Sequence, residues 1–351
     1  MVYRVIGCMS GTSLDGLDIA LCEFVKNAHS WESKIIKAIT YNYDYEWKNK
    51  LAQAHSLSAL EIYKLHVEYG KFIGEKINSF VNNSEYDLIA SHGHTVFHTP
   101  LENGISLQIG DGSAIYALTH KPVVYNFRQL DVCLGGNGAP LVPVGEKYLY
   151  PQYNCFLNLG GIANLSIHNK TKIAGYDVVP CNMVLNFLAQ KIGYDFDCDG
   201  NIAKNGKFCD ELFKKLNELD YYALPYPKSL GREWVNTIFS LFSEFDSRLA
   251  TADFLNTFCH HISYQIAQQI KGKSIKKIFI TGGGAYNKFL LKLLEKNCSN
   301  SELILPNKYE IEYKEAKIFA FLGLLRKLNQ KNVLKSVTGA SQNTISGILV
   351  G

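Results

Sequence analysis

The sequence predicts an α/β fold made of two similar domains that face each other across a cleft. Residues 2–24 have the pattern of a strand, a polar loop and a second strand, and a strand–glycine turn–strand pattern returns at 154–168. Later in the chain, three glycines join a strand to a helix within residues 276–297. Alternating strands and helices are typical of α/β proteins, and the repeated hairpin indicates that the two domains are alike.

The bulk composition sets the class of protein. The chain has 351 residues, enough for two domains, and its 47% hydrophobic and 19% charged residues are ordinary for a globular protein. A net charge of +4 without a basic cluster argues against a nucleic-acid partner. The nine cysteines include no C-x-x-C pair, which predicts buried thiols. With no signal-peptide pattern and no apolar run of membrane-span length, we expect a cytoplasmic protein with no membrane partner.

Hydrophobic periodicity and start signals predict the other elements. Helices are expected at 58–82, 252–273 and 313–330, and short strands at 86–91 and 121–127. Ser56 or Ser58 is the expected cap of the first helix, and Asn287 that of the helix after the three glycines.

The sequence also suggests where the domains divide. "GGNGAPLVP" at 135–143 is rich in glycine and proline, and we interpret it as a hinge. The expected domains are therefore residues 1–130 and 131–351, with the last helix and tail, 313–351, packing across the junction.

The loop of the first hairpin, "SGTSLDG", is longer than the two to five residues that a hairpin turn needs. A plain turn is one interpretation. The other, which we favour, is a phosphate cradle, because glycines allow close approach of backbone N–H groups and hydroxyls add donors. A P-loop motif is absent, and a Rossmann fingerprint is excluded because this loop returns into a strand.

The order of these features resembles the superfamily of sugar kinases, Hsp70 and actin, whose domains are ribonuclease H-like. More specifically, "MSGTSLDGLDIAL", "SHGHTVFH", "LQIGD", "FRQLD", "GGNGAPLVP", "LNLGGIANLS", "PKSLGREWVN", "TGGGAYN" and "SVTGAS" resemble the anhydro-N-acetylmuramic acid kinases over residues 9–341. The resemblance implies an ATP- and Mg²⁺-dependent enzyme with an amino-sugar substrate. Such enzymes open the 1,6-anhydro bond with water and phosphorylate O6, in cell-wall recycling.

The same resemblance implies a set of ATP-binding residues. Two hairpins would grip the phosphates and the late glycine turn would lie against adenosine. The residues implied are Ser10, Gly11, Thr12, Ser13, Leu14, Asp15, Gly16, Leu17, Gly160, Gly161, Asn164, Gly282, Gly283, Gly284 and Asn287. Asp15 is also the better of two candidates, with Asp18, for a water-mediated contact with Mg²⁺.

Asp177 is the predicted general base. It ends a short predicted strand, and a carboxylate is a suitable acceptor for a proton from water. In the family the base stands in D-T-G-P-G-N, and here the motif is "DVVPCN", with Val179 and Cys181 in place of the glycines. The alternative is that Asp177 only forms a turn or caps a helix.

A further group of residues is implied to contact the sugar: His92, His94, Arg128, Asp131, Lys228, Arg232 and Glu315. Each has a plainer alternative. The histidines suit a polar pocket wall better than a metal site, and Arg128 with Asp131 could be a structural ion pair. Glu315 could favour a helix N-terminus or point into the cleft, with equal weight given to each.

Two other functions stay open at this point. A kinase for a different amino sugar is kept by departures from the family pattern at Asn126, Asn137, Val179, Cys181 and Leu230. A nucleotide-gated binding protein of the Hsp70 kind is disfavoured, since no substrate-binding domain follows residue 351. The sequence leaves a homodimer open.

Overall fold

The computed structural model describes residues 1–11, 14–28, 30–169, 173–226, 228–231 and 234–351. Within them the strands are β1 (Val2–Ser10), β2 (Gly16–Lys26), β3 (Trp31–Asn42), β4 (Leu88–Thr99), β5 (Ile105–Ile109), β6 (Val123–Tyr125), β7 (Cys155–Leu159), β8 (Ile162–His168), β9 (Ile173–Pro180), β10 (Lys277–Thr281), β11 (Glu302–Ile304) and β12 (Ile348–Val350).

The α-helices of the same residues are α1 (Tyr45–Gln53), α2 (Ala59–Val81), α3 (Pro100–Asn103), α4 (Gly112–Thr119), α5 (Gln129–Cys133), α6 (Val142–Leu149), α7 (Asn182–Gln190), α8 (Asn201–Asn205), α9 (Asp210–Asn217), α10 (Val235–Ser243), α11 (Thr251–Ile270), α12 (Lys288–Asn297), α13 (Lys308–Lys327) and α14 (Lys335–Thr338). Short 3₁₀ turns lie at Ala54–Ser56, Cys198–Gly200, Asp220–Ala223 and Gly283–Tyr286. None of the helices in the described ranges is both long and apolar enough to cross a bilayer.

The chain forms two compact units, Met1–Pro151 with Tyr313–Gly351, and Gln152–Glu312. In the first unit the main path of the sheet has the order β3-β2-β1-β4-β6-β12, and β5 pairs with β4. The first three strands are antiparallel neighbours, whereas β4 runs parallel to β1 and β6 parallel to β4. Its core includes Ile6, Leu17 and Ile73, which have no more than 1% of their surface exposed.

The second unit repeats this topology. Its sheet has the order β9-β8-β7-β10-β11, with three antiparallel strands followed by two that run parallel to β7. The shared order of three antiparallel and two parallel strands confirms the predicted fold class of two similar ribonuclease H-like α/β domains. The internal repeat in the sequence, two glycine hairpins, corresponds to β1–β2 and β7–β8.

Local signals account for several element ends. Ser58 caps α2 with a complete capping box, in which its hydroxyl accepts from the Glu61 N–H and the Glu61 carboxylate accepts from the Ser58 N–H. Asn287 caps α12 by accepting from the Leu290 N–H at 2.9 Å. Both capping predictions are confirmed.

The observed division differs from the boundary expected near residue 130. Residues 131–151 and 313–351 belong with the first sheet. The segment interpreted as a hinge is tied within that unit, because the Asn137 N–H donates to the Thr338 carbonyl at 2.8 Å and the Gly138 N–H to the Asp131 carboxylate at 2.9 Å. The glycine and proline content of 135–143 therefore marks a tethered loop.

A kink divides the last long helix at the residue where its periodicity predicts the start. The α13 helix starts at Lys308 and has a non-helical residue, Tyr313 (φ −119°, ψ 17°), where the second unit ends and the first resumes. Beyond it, Ile318, Phe319 and Phe321 have at most 1% of their surface exposed. The predicted apolar face is therefore buried within the first unit.

A buried ion pair between α6 and α13 gives a test of the first unit's packing. The Lys314 Nζ lies 2.9 Å from the Glu146 carboxylate, and the two side chains are 4% and 2% exposed. Glu146→Ala should lower the free energy of unfolding by about 3–5 kcal/mol, because the buried ammonium of Lys314 loses this carboxylate. Urea unfolding measures the loss.

The matched control for this variant is an ion pair on the surface of α9. Asp210 and Lys214 lie 2.6 Å apart but are 66% and 67% exposed. Asp210→Ala should change the unfolding free energy by less than about 0.5 kcal/mol, because an exposed pair is screened by water. Equal losses in the two variants would contradict the role given to burial.

Candidate active site

The predicted phosphate loop lies at the end of the first hairpin. Ser10 ends β1 and pairs with Leu17 of β2, and Gly16 begins β2. Leu14 adopts a left-handed backbone (φ 61°), and its N–H donates to the Gly11 carbonyl at 3.4 Å. Thr12 and Ser13, also predicted here, lie outside the described residues.

Ser10 faces the interior of the first unit. Its hydroxyl is 2.8 Å from the Tyr43 hydroxyl and 3.0 Å from His94 Nδ1, and Tyr43 contacts the Tyr69 hydroxyl at 2.5 Å. Ser10 has 1% of its surface exposed. Its side chain is therefore hydrogen-bonded inside the first unit, and its hydroxyl is not exposed on the loop surface, where it could donate to a phosphate.

His92 is held by Arg128. The His92 Nε2 lies 3.0 and 2.9 Å from two guanidinium nitrogens, and His92 Nδ1 lies 2.9 Å from the Gly93 carbonyl. Both ring nitrogens are therefore engaged, which leaves neither for a sugar. Arg128 also donates to the Gly138 carbonyl at 2.7 Å, and burial lowers the pKa of its guanidinium to about 10.

Glu315 lies close to this arginine. The residue as a whole is half-buried, and burial of its carboxyl raises its pKa, while Lys314 and Arg128 oppose that rise. Glu315 lies two residues after the kink at Tyr313, in the first turn of the second helical segment of α13, as the sequence predicts. Of the predicted sugar-binding residues, His92 and Arg128 are thus in direct contact, and Glu315 interacts electrostatically with Arg128.

Asp131 has a structural position. It is fully buried, and one carboxylate oxygen accepts from the Gly138 N–H while the other accepts from the Thr338 hydroxyl at 2.8 Å. It does not pair with Arg128, and it has no exposed surface to offer to a sugar. Asp131 therefore links the 134–138 loop to α14, and its buried carboxylate is not placed for the predicted contact with a sugar.

In the second unit the two predicted glycine turns lie side by side. Gly282 and Gly284, after β10, pack so closely on Leu159 of β7 that a Cβ on either would come within 2.8 Å of its carbonyl or side chain. Asn182 lies between the turns and donates from Nδ2 to the Leu159 carbonyl at 2.9 Å. Glycine is required at these positions because the backbones approach directly.

The carbonyls of the hairpin turn are bound to the start of α7. The N–H groups of Cys181 and Met183 donate to the Gly161 carbonyl, and that of Asn182 donates to the Gly160 carbonyl, at 2.8–3.1 Å. By contrast, no acceptor among the described residues is bound to the N–H groups of Gly160, Gly161, Gly283 or Gly284. Adjacent turns with free N–H groups are suited to anions.

Asp177 lies within β9, not at its end. The strand continues to Pro180, which is tolerated because β9 is an edge strand of the sheet. The carboxylate accepts from the Leu230 N–H at 2.9 Å. Burial raises the pKa of Asp177 above its ordinary value, and the Leu230 contact opposes that rise. Neither the turn nor the helix-cap alternative describes this position.

A row of polar residues runs across the sheet to Asp177. Asn164 of β8 is paired with Asp177 on one side and with Asn158 of β7 on the other, and Asn158 is paired with Thr281 of β10. Directly paired residues point to the same face of a sheet. Asp177 and Asn164, both predicted, are therefore joined to the glycine turns by two residues that the sequence analysis did not single out.

The two residues that depart from the family motif, Val179 and Cys181, are buried in the hydrophobic core. Val179 and Cys181 have no exposed surface and belong to the main hydrophobic cluster of the second unit. Burial raises the pKa of the Cys181 thiol to about 12. Neither residue blocks the turn, since no atom lies closer than 3.6 Å to the position that a Cβ on Gly161 would occupy.

The other predicted residues of this unit have mixed positions. Lys228 lies on the Tyr221 ring, with Nζ 4.5 Å from its centre, and donates to the Tyr221 carbonyl. The Asn287 side chain is used as the α12 cap. Arg232 lies outside the described residues.

Asn158, Asn182, Tyr221 and Thr281 are the site residues that the sequence analysis missed. The Tyr221 hydroxyl donates to the Asp177 carbonyl at 2.7 Å, from a 3₁₀ turn that is distant in sequence. Asn158 precedes the glycines in "NLGG", and Asn182 ends "DVVPCN". Their place beside quoted motifs was a usable signal for the two asparagines, whereas no local pattern marks Tyr221.

Within the described residues no group of three or more metal-ligating side chains comes together. Asp18 accepts from the Thr40 hydroxyl at 2.6 Å, and Asp15, at the end of the loop, is exposed. Mg²⁺ keeps several waters and uses one or two carboxylates together with substrate phosphates. A single loop carboxylate, Asp15, fits such a site.

Comparison with known proteins supplies the family. The family model for anhydro-N-acetylmuramic acid kinase matches residues 3–350. The protein of that name from Sulfurovum sp. is 32% identical over 359 residues, covering 98% of each chain, and that from Aliivibrio fischeri is 33% identical over 366 residues, covering 99% of this chain and 98% of its own.

Solved structures with similar folds are more distant. The activator of the 2-hydroxyisocaproyl-CoA dehydratase from Clostridium difficile with bound ADPNP aligns at a TM-score of 0.46, with 12% identity, over 93% of this chain and 96% of its own. A ROK family glucokinase from Streptomyces griseus with glucose and AMPPNP aligns at 0.44, with 12% identity, over 92% and 99%. The match of the family model over nearly the whole length, with relatives at about one-third identity, shows that this chain belongs to the anhydro-N-acetylmuramic acid kinase family.

Proposed function

We propose that this chain is the ATP-dependent kinase that opens 1,6-anhydro-N-acetylmuramic acid with water and phosphorylates O6. The products are N-acetylmuramic acid 6-phosphate and ADP, and the reaction belongs to cell-wall recycling. The observation that carries the proposal is the Asp177 carboxylate, oriented by the Leu230 N–H at 2.9 Å and in register with Asn164 near the glycine turns. A kinase that only transferred phosphate to a free hydroxyl would not need a second co-substrate, water, to be activated.

Each step has a group that suits it. Asp177 accepts a proton from water as the water oxygen attacks the anomeric carbon and the 1,6-anhydro C–O bond breaks. The released O6 takes the γ-phosphoryl group of ATP. The free N–H groups at Gly160, Gly161, Gly283 and Gly284 suit phosphate oxygens. Mg²⁺ bound with ATP would neutralise phosphate charge, and Asp15 is the residue proposed to hold it through water.

The experiment that tests the proposal is mass spectrometry of the products made from ATP and a panel of anhydro and ordinary amino sugars. The expected product is heavier than the anhydro sugar by one phosphate and one water. A product heavier by phosphate alone, from an ordinary amino sugar only, would favour the rival kinase. The homodimer and the cytoplasmic location stay predictions.

Gly161→Val tests the phosphate-binding turn. Gly161 has no positive φ, and the nearest atom to its Cβ position is Met183 Cε at 3.6 Å, so the fold accommodates a side chain. The valine should nevertheless stand where the turn must approach phosphate. We expect ATP affinity, measured by calorimetry, to fall at least about tenfold, as expected for one displaced charged hydrogen-bonding group.

The matching variant in the first loop is Gly11→Val, with the same expected loss of ATP affinity. Ala223→Val, at an exposed residue of a 3₁₀ turn, is the control for a valine that contacts no proposed ligand. Unchanged affinity in either glycine variant would remove that loop from the ATP site.

A further inference from the structure

His94 is the one histidine of the "SHGHTVFH" motif whose Nδ1 is bound inside the first unit by a chain of hydroxyls. Ser10 and His94 are paired residues of the parallel strands β1 and β4. Tyr43 follows β3, and Tyr69 comes from the middle of α2. Three elements and the segment after β3 therefore bring the chain Tyr69–Tyr43–Ser10–His94 together, with every member 4% exposed or less.

The hydrogens of this chain can be assigned by counting donors and acceptors. The Tyr43 hydroxyl donates to the Ser10 oxygen at 2.8 Å. Since Tyr43 has a single hydrogen, the contact with Tyr69 is made by the Tyr69 hydrogen. Ser10 then accepts from Tyr43, and its own hydrogen can be donated to His94 Nδ1 at 3.0 Å or to the Tyr69 oxygen, with which Ser10 also interacts.

The two orders differ in the acceptor that they give to the Ser10 hydrogen. If His94 carried its proton on Nδ1, Ser10 would accept twice, and its own hydrogen would turn to the Tyr69 oxygen, which already shares its contact with Tyr43. With Ser10 as the donor to Nδ1 at 3.0 Å, the proton of the neutral ring lies on Nε2.

The second ring nitrogen is available for a ligand. Among the residues that the structure describes, no acceptor lies within hydrogen-bond distance of His94 Nε2. His92 differs from His94, because Arg128 and the Gly93 carbonyl contact both of its ring nitrogens. Burial lowers the pKa of His94 to about 4, so the ring is neutral at pH 7.

We propose that the chain Tyr69–Tyr43–Ser10 fixes His94 as a neutral Nε2–H donor, and that this N–H binds an oxygen of the substrate, either of the sugar or of the nucleotide phosphates. The proposal rests on the function proposed above for its choice of ligand. It also gives Ser10 a role, since the residue that begins the phosphate loop sets the proton position of the adjacent strand's histidine.

The first test is the tautomer itself, which needs no turnover. In the full-length protein labelled with ¹⁵N-histidine, two-bond ¹H–¹⁵N spectra at pH 7 report which ring nitrogen carries hydrogen, and the His94→Gln variant identifies the signal. We expect the Nε2–H form, and a mixture of both forms in Ser10→Ala. An Nδ1–H or charged ring in the unmodified protein overturns the proposal.

The second test finds the ligand. The anhydro sugar alone and a non-hydrolysable ATP analogue alone are added to the labelled protein. A shift of the His94 Nε2–H signal with the sugar identifies a sugar oxygen as the acceptor, and a shift with the analogue identifies a phosphate oxygen. No shift with either overturns the donor role. These spectra are read even if the enzyme does not turn over the anhydro sugar, which would refute only the proposed function.

The third test separates donation from packing. His94→Gln keeps a donor and an acceptor at similar reach, whereas His94→Leu keeps only bulk. We expect kcat/KM to fall about tenfold in His94→Leu and by less than about threefold in His94→Gln, as for loss and retention of one hydrogen bond. A purely structural His94 predicts equal losses in both variants, and that outcome counts against the donor role.

Discussion

Asp177→Asn should lower kcat by roughly 10²–10⁴ while ATP affinity stays within about twofold of the unmodified protein. The carboxylate is the group proposed to take a proton from water, and an amide cannot do so. No phosphate contact is assigned to Asp177, so nucleotide binding has no reason to change. Steady-state kinetics with the anhydro sugar and calorimetry with ATP measure the two effects separately.

The same variant should fold normally. Its Oδ1 atom can still accept from the Leu230 N–H, the contact that the carboxylate makes at 2.9 Å. Burial raises the pKa of Asp177, which means that the ionised form is destabilised by the fold at neutral pH. Replacement by a neutral amide should leave the melting temperature unchanged or higher. A low melting temperature would assign the lost turnover to unfolding.

The pH dependence provides the second half of this prediction. Asp177 works as a base only when ionised, so kcat/KM should fall as the pH drops through its pKa, which lies above the ordinary carboxyl value because of burial. This acidic limb should disappear in Asp177→Asn. If turnover in the variant were normal, the base would have to be sought elsewhere, at Glu315, since both nitrogens of His92 are engaged.

The parts of the fold that were predictable are those encoded by neighbours in sequence. The two glycine hairpins, the Ser58 and Asn287 caps and the apolar face of α13 each follow from a short pattern with a direct physical cause. The β3 strand was missed although its exposure alternates along much of its length. The helical segment of α13 before the kink at Tyr313 was missed, and it belongs to the other compact unit.

The candidate site was less predictable because its side chains are defined by distant partners. Asp131 is buried by Thr338, 207 residues later, and Ser10 is turned inward by His94, 84 residues later. Neither contact leaves a mark on the local sequence. The glycines did leave one, since backbones that touch directly exclude side chains, as Gly284 against Leu159 shows.

Removal of residues 313–351 should abolish the folded state of the first unit. In the intact chain α13 packs so directly on β1 that its backbone at Ala316 leaves no room for a side chain on Gly7. The deletion also removes β12, which pairs with β6 at the edge of the sheet. A chain ending at Glu312 would therefore expose the apolar face of β1 and β4. We expect insoluble protein, or soluble protein without a cooperative melting transition.

A single substitution in the same helix should cause a smaller, measurable loss of stability. Phe321 is fully buried, and its ring centre lies 5.4 Å from that of Phe24 and 5.1 Å from that of Trp31. Phe321→Ala should lower the free energy of unfolding by about 3–5 kcal/mol, because it removes buried aromatic contacts and leaves a cavity between strands and helix. Leu60→Ala, at a side chain 63% exposed on α2, should cost less than about 0.5 kcal/mol. The first unit would fold without the last helix if the truncated chain melted cooperatively and Phe321→Ala were as stable as Leu60→Ala. We expect the opposite result, because Phe321 is buried between Phe24 and Trp31.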